Sequence, residues 1–253
     1  MKREVNFSRM SWFDVQNAMK DGCNTVMIPV GSVEQHGPHL PLTTDSMVVD
    51  WIANKAAEQM DGVLVAPIVY YGVSYNHIDF PGTGSVQIDT LKRYLIDVCI
   101  SLLGHGFEKL IILNGHGGNN ATVAAAAHDI RLQTKKFVGV ITWPSLVLEA
   151  EKTLESEIVW HADEGETSTV LWIAPELVKM ERALNVTPKP IPHYVFTHEA
   201  LFSNPVDQGL PPTKVLSESG IVGDAKLATP EKGKLILEEA AKNLAKVITE
   251  LRN

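Results

Sequence analysis

An α/β fold is what this sequence predicts: a single domain over residues 1–253, built on a mostly parallel sheet with helices on both faces. Three observations predict it. Short β-branched apolar runs of strand length alternate along the chain with segments of helical period. A strand, glycine turn and helix then follow one another in the order of a βαβ unit, and a further strand succeeds them. Finally, 253 residues of which 45% are hydrophobic suffice to bury one sizeable core.

The elements follow in order. Ser11 can cap a first helix that runs through Val15 and Met19 and stops at Gly22. Thr25 to Val30 has the length and β-branching of a buried strand, and Gly31 breaks it. Met47, Val48, Trp51, Ile52 and Ala56 have helical spacing, which places Thr44 or Asp45 near a helix start, where capping is the ordinary role for Asp45. Val63 to Val69 is expected as a second strand. The irregular stretch after it holds His77 and several aromatic residues, and a loop of that length is uncommon unless it serves binding. Asp89 opens a helix through Leu91, Leu95, Val98 and Leu102, closed by Gly104 and Gly106, with His105 as a helix-end residue. A strand at Leu110–Leu113, the turn NGHGGNN, a helix at Ala121–Leu132 and a strand at Phe137–Thr142 complete the repeat. Residues 186–212 read as an ordered excursion or oligomer contact, with His193 and His198 as structural residues. Thr229 and Pro230 start a final amphipathic helix whose apolar side is Leu235, Leu237, Ala241, Leu244, Val247, Ile248 and Leu251.

Composition excludes several classes of function. A formal net charge of −8 and no cluster of Lys or Arg argue against nucleic acid as a partner. The start of the chain lacks the apolar core of a signal peptide, and no apolar run is long enough to span a membrane. Cys23 and Cys99 are the only cysteines, so no disulfide framework is expected and a reducing cytoplasm fits.

Ligand-type residues crowd the ends of the expected strands, where sites lie in such sheets. Glu34, His36, His39 and Asp45 fall within twelve residues, on a loop stiffened by Gly37, Pro38 and Pro41. Glu34 and His36 are two apart, so an extended segment points them the same way. Carboxylate and imidazole together suit Zn²⁺, Mn²⁺ or Fe²⁺. A second strand end supplies His116. Its glycine-rich turn has no GK[ST] and no GxGxxG, which disfavours a phosphate cradle. A third cluster, HADEGETSTVLW, is accounted for as a capped helix start with Thr167 or Ser168 near the first turn, except for its crowd of ionisable residues. Glu164 and Glu166 are candidate ligands there, and His161 is a candidate proton shuttle. Tyr70, Tyr71, Tyr75, Trp143 and Trp160 either shape a pocket or simply pack.

The segments PVGSVEQHGPHLPLTTD, FPGTGS, NGHGGN, HADEGETS and GIVGDAKLATPEKG together resemble the landmark segments of the creatininase (creatinine amidohydrolase) family, in family order from about residue 27 to residue 233. That resemblance implies a two-metal hydrolase of α/β fold acting on a small-molecule substrate, a homo-oligomer and commonly a hexamer. Carried over position by position, Glu34, His36, Asp45 and His116 match metal ligands, with Asp45 as the carboxylate shared by two divalent ions. Glu166 matches a remaining ligand with a catalytic part, and His161 the proton-transfer histidine. Gly118 stands where true creatininases have a glutamate, which shifts that duty to Glu166, and Asp163 stands where the usual segment has glycine. The implied reaction is hydrolysis of a cyclic amide or formamide C–N bond by metal-activated water. Ring opening of an inositol-derived cyclic diketone, pyrimidine deformylation and maturation of a peptide-derived redox cofactor are alternatives within the family, and a non-catalytic metal-binding assembly module is the alternative outside it.

Overall fold

The computed structural model describes residues 3–189 and 211–252. Ser11 caps helix α1 (Trp12–Lys20) in a reciprocal box with Asp14, which satisfies two amides that have no partner inside the helix. Strands β1 (Thr25–Val30), β2 (Val63–Val65), β3 (Lys109–Asn114) and β4 (Phe137–Thr142) form one parallel sheet in the order β2-β1-β3-β4. Helices α2 (Thr44–Ala57), α3 (Ile88–Gly104) and α4 (Asn120–Thr134) make the crossovers between these strands. The expected parallel architecture with helices on both faces is therefore what the chain adopts.

Both faces of the sheet are packed because its side chains alternate. Met27, Ile111 and Leu113 point into a core completed by α2 and by the final helix α7 (Pro230–Arg252). Val26, Ile28, Leu110 and Ile112 point the other way, into a core with Leu91, Leu95, Val123 and Ile130 of α3 and α4. On α7 the buried face is Ile236, Leu237, Ala240, Ala241, Leu244 and Ile248, whereas Leu235 and Leu251, expected on the apolar side, are exposed. Helical geometry sets them off the stripe that faces α2 and α5 (Glu164–Ile173).

Other expectations are corrected. The run expected as a strand to Val69 is regular only to Val65, because Pro67 has no amide to donate. It still follows β1, through Ala66 N to Met27 O at 2.9 Å and Val69 N to Pro29 O at 3.0 Å. Helix α5 begins at Glu164 with Asp163 as its N-cap, which puts Thr167 and Ser168 at the end of its first turn, as expected. A second sheet was not foreseen: β5 (Val159–His161), β6 (Asn185–Val186) and β7 (Val222–Asp224) pair antiparallel in the order β5-β7-β6. Its strands are two or three residues long, too short for periodicity to reveal. A short helix, α6 (Thr213–Leu216), precedes β7. His193 and His198 lie outside the described residues. Among the described residues, no helix is long and apolar enough to cross a membrane.

Candidate metal centre

Three chain segments converge beyond the carboxyl ends of β1 and β3. The loop after β1 folds back on itself, with Glu34 N bonded to Leu42 O at 2.9 Å, and α2 begins directly after it. Asp45 lies in the first turn of that helix, but its side chain does not cap it; Thr43 is the N-cap residue, and no side chain bonds the terminal amides. Asp45 instead turns inward. Its Oδ1 is 3.2 Å from His36 Nε2 and its Oδ2 is 3.1 Å from His116 Nδ1, while the Ser32 hydroxyl donates to Oδ2 at 2.6 Å. Glu34 and His36 both reach this centre, as the extended spacing predicted.

His116 arrives from the turn after β3. Asn119 braces that turn against the loop after β1, donating to Gly31 O at 3.0 Å and accepting from Val73 N at 2.8 Å. Asn114 donates to the His116 carbonyl at 2.7 Å. A Cβ at Gly118 would collide with the Val73 carbonyl and the His116 ring, so the turn closes here only without a side chain. The third segment is β5 and the first turn of α5, which bring His161 and Glu166. Glu166 Oε2 is 3.6 Å from His36 Nε2 and accepts from Ala162 N at 2.6 Å. Ala162 has φ of +50°, a left-handed kink that turns the chain between His161 and the helix.

Two ligand groups thus share Asp45: Glu34, Asp45 and His116 form one, and His36, Asp45 and Glu166 the other, with the ligand atoms in each within 4.8 Å of one another. A third group, Glu34, His36 and His161, overlaps both. The residues fit divalent ions on their own chemistry. Oxygen and imidazole nitrogen are the donors such ions take, and buried carboxylates are tolerated only when paired. Glu34 Oε2 is moreover buried with no hydrogen-bond partner among the described residues, although His116 Nε2 lies 3.1 Å away. That nitrogen is 3.0 Å from Val73 O, which takes its proton and leaves Nδ1 for the centre. His36 Nδ1 similarly faces the Glu34 carbonyl at 3.3 Å, leaving Nε2 inward.

The electrostatics express this crowding. Burial alone would lower His36, but the carboxylates of Asp45, Glu166 and Glu34 outweigh it and raise its pKa to about 10. His116 is raised to about 9 in the same way, against burial, by Glu34 and Asp45. Burial pushes Glu34 up and lifts Glu166 to about 8, whereas Asp45 is held well below its usual range because His36 and His116 outweigh its burial. His161 lies well below its ordinary value through burial and the neighbouring His77 and His36, so it is neutral.

Some expected ligands do other work. Glu164, a sequence candidate, points away from the centre: it accepts from the amides of Glu155 and Ser156, each at 2.8 Å, and pairs with Lys232 of α7. His39 is not in any ligand group; it contacts Thr167 Oγ1 through Nε2 at 2.8 Å and ties the loop to α5. Gln35 was not singled out from sequence, and His77 only as part of a loop expected to serve binding. Gln35 lies buried between His77 and His161, and His77 brings its Nε2 to 3.5 Å from Glu34 Oε1. The position of Gln35 between two ligand residues was the available signal for it; His77 offered only its place in a long loop. Beside the centre, a cavity of about 80 Å³ is lined by Trp143, Leu154, Trp160, Ile236, Asp163 and Glu166. Tyr70, Tyr71 and Tyr75 are largely exposed.

The family model for creatininase, creatinine amidohydrolase, matches residues 8–248. The creatinine amidohydrolase of Pseudomonas putida is 29% identical, over 99% of this chain and 98% of that protein. The 3-dehydro-scyllo-inosose hydrolase of Thermotoga maritima is 31% identical, over 98% of this chain and 83% of that protein. Among solved structures, a mutant creatininase of Zn-Zn type superposes with a TM-score of 0.85 at 27% identity, and a creatininase Mn structure with 0.86 at 26%, each covering 98% of both chains. With a match that spans nearly its whole length, this chain belongs to the creatininase family.

Proposed function

We propose that this protein is a binuclear metal-dependent hydrolase that cleaves a C–N bond of a cyclic amide or formamide. The observation that carries the reading is the pair of ligand groups meeting at Asp45. Glu34 and His116 would hold one ion, His36 and Glu166 the other, and Asp45 both. Divalent ions held there lower the pKa of water toward neutrality and polarise a carbonyl. Hydrolysis adds hydroxyl to the carbonyl carbon and a proton to the leaving nitrogen. His161 is the group for that proton: neutral, buried and packed at 4.4 Å between ring centroids against His36, it would take the proton from the water that supplies the hydroxyl and pass it to the nitrogen. The cavity beside Glu166, walled by Trp143, Trp160 and Leu154, excludes water from an apolar part of the substrate.

Ring opening of a cyclic diketone is the second reading. Two observations favour it: the inosose hydrolase relative is as similar as the creatinine amidohydrolase, and Gly118 has no room for the glutamate of true creatininases. The ions in this reading are Zn²⁺, Mn²⁺ or Fe²⁺, the chain is a cytoplasmic homo-oligomer with the hexamer as the family's common state, and Cys23 and Cys99, both free, suit a reducing compartment.

The test is metal content per chain on protein purified without chelator, beside Glu34→Ala and Asp45→Ala. About two ions in the wild type, with clear loss in both variants, is the expected result. It also justifies an assay of cyclic amides, formamides and cyclic diketones. No bound metal, and none taken up on addition, overturns the reading in favour of a non-catalytic assembly module.

A further inference from the structure

The Gln35 side chain lies within hydrogen-bond distance of both His77 and His161. It is almost wholly buried, and its amide is oriented without ambiguity because Oε1 accepts from Gly37 N at 2.9 Å. Its Nε2 therefore faces three neighbours: His77 Nδ1 at 2.8 Å, His161 Nε2 at 2.9 Å and Gly220 O at 3.3 Å. An amide nitrogen has two protons for these three.

The backbone resolves the count. His161 Nε2 is also 2.9 Å from the carbonyl oxygen of Gln35 itself, and a carbonyl can only accept. With the proton on His161 Nε2, that oxygen, His77 Nδ1 and Gly220 O can each receive a hydrogen bond, whereas a bare Nε2 leaves the Gln35 carbonyl and Gly220 O without one from this cluster; the fuller pairing puts the proton on Nε2. A protonated nitrogen cannot accept from the amide, so the two amide protons go to His77 Nδ1 and Gly220 O. His77 is left with its proton on Nε2, the nitrogen 3.5 Å from Glu34 Oε1. His161 is left with a bare Nδ1, which has no hydrogen-bond partner among the described residues. The surrounding chain leaves room for this amide: Gly220 has φ of +85°, and a Cβ there would collide with the Gln35 amide.

We propose that Gln35 is a positioning residue that fixes the tautomers of His77 and His161, so that His161 presents Nδ1 as its proton-transfer nitrogen and His77 turns an N–H toward Glu34. The name given to His161 Nδ1 rests on the hydrolase reading; the tautomers rest on hydrogen bonding alone.

The experiment is ¹⁵N NMR of the zinc-loaded protein labelled at histidine, with the two rings assigned from His77→Gln and His161→Gln. The imidazole ¹⁵N shifts separate protonated from bare nitrogens. Wild-type protein is expected to show both rings protonated at Nε2. Gln35→Glu keeps an acceptor for Gly37 but replaces the amide donor with an acceptor, so the proton of His77 is expected to move to Nδ1 while His161 keeps Nε2–H. A wild-type His77 or His161 protonated at Nδ1, or a His77 tautomer unmoved by Gln35→Glu, overturns the proposal. If that variant does not fold, the wild-type tautomers decide alone. Zinc bound per chain is measured on the same sample. Protein that takes no zinc ends the two-metal reading, and its histidine spectrum still decides the role of Gln35.

Discussion

The loop after β1 and the first turn of α5 carry the same kinds of residue at similar density, yet they use them differently. In the loop and the first turn of α2 that follows it, Glu34, His36 and Asp45 all face the centre. At α5 the ionisable residues divide. His161 and Glu166 face the centre, Asp163 accepts the Glu166 amide, and Glu164 pairs with Lys232. The difference lies in what the backbone demands. A helix N-terminus has unpaired amides that recruit acceptors, and Asp163 serves one of them. The loop after β1 instead satisfies Glu34 N with a carbonyl of its own segment, leaving the carboxylate free. A carboxylate in a helix's first turn can therefore face the centre, as Asp45 and Glu166 do, or be taken up by a cap or an ion pair, as Asp163 and Glu164 are.

This contrast can be broken most sharply at the two glutamates of α5. Glu166→Gln should lower affinity for the second ion by more than about 100-fold, since losing an outer-shell partner of a ligand alone costs about 10- to 100-fold. Glu164→Gln should leave both ions bound. Titration with Zn²⁺ under matched conditions reads both, and equal losses would erase the distinction drawn here.

Lys232 sharpens it next. Lys232→Met strands the fully buried Glu164 carboxylate. Breaking a fully buried pair costs about 3–5 kcal/mol, and the solvent that still reaches Lys232 reduces the expected loss to about 2–3 kcal/mol. Chemical denaturation of metal-free protein measures this, and a loss under about 1 kcal/mol would mean that the pair does not anchor α5.

A smaller effect tests the cap. Asp163→Ala should cost about 1 kcal/mol, while Asp163→Asn keeps an acceptor for the Glu166 amide and should cost less. Thermal unfolding of both variants decides it; equal losses would point to the charge of Asp163 rather than its hydrogen bond.

The smallest lies far from the centre, at Glu239 of α7, which accepts from the amides of Leu148, Glu149 and Ala150. Burial would raise this carboxyl, but those amides outweigh it and hold it below the usual 4.5. A depressed pKa adds stability that is complete above the unfolded value and is lost as pH falls through the folded one. Glu239→Gln should therefore be less stable than wild type near pH 6, by less than about 1 kcal/mol given its partial exposure, and the gap should close toward pH 3. A gap that widens on acidification would contradict the assignment.

Much of this was legible in the chain. The capping box at Ser11, the β1, β3 and β4 runs and the long amphipathic α7 are local patterns, and each folds close to where its pattern lies. That Glu34, His36, Asp45 and His116 would come together was legible because they follow strands that end on the same edge of a parallel sheet. His77 was legible only through its long loop, and Gln35 was not, since a neutral amide has no periodic signature. Neither was the discharge of Glu164, whose partner Lys232 is 68 residues away.

What the sequence determined by itself is the parallel α/β frame and the chemical types gathered at its strand ends, because strand and helix periodicities and turn residues act over a few neighbouring positions. Tertiary structure alone decided that Glu164 is taken up by Lys232, how the histidines are oriented, and that two short antiparallel pairings bring β5 to the site. Those outcomes depend on partners distant in the chain, and a buried charge or amide takes its role from whichever group the fold sets beside it.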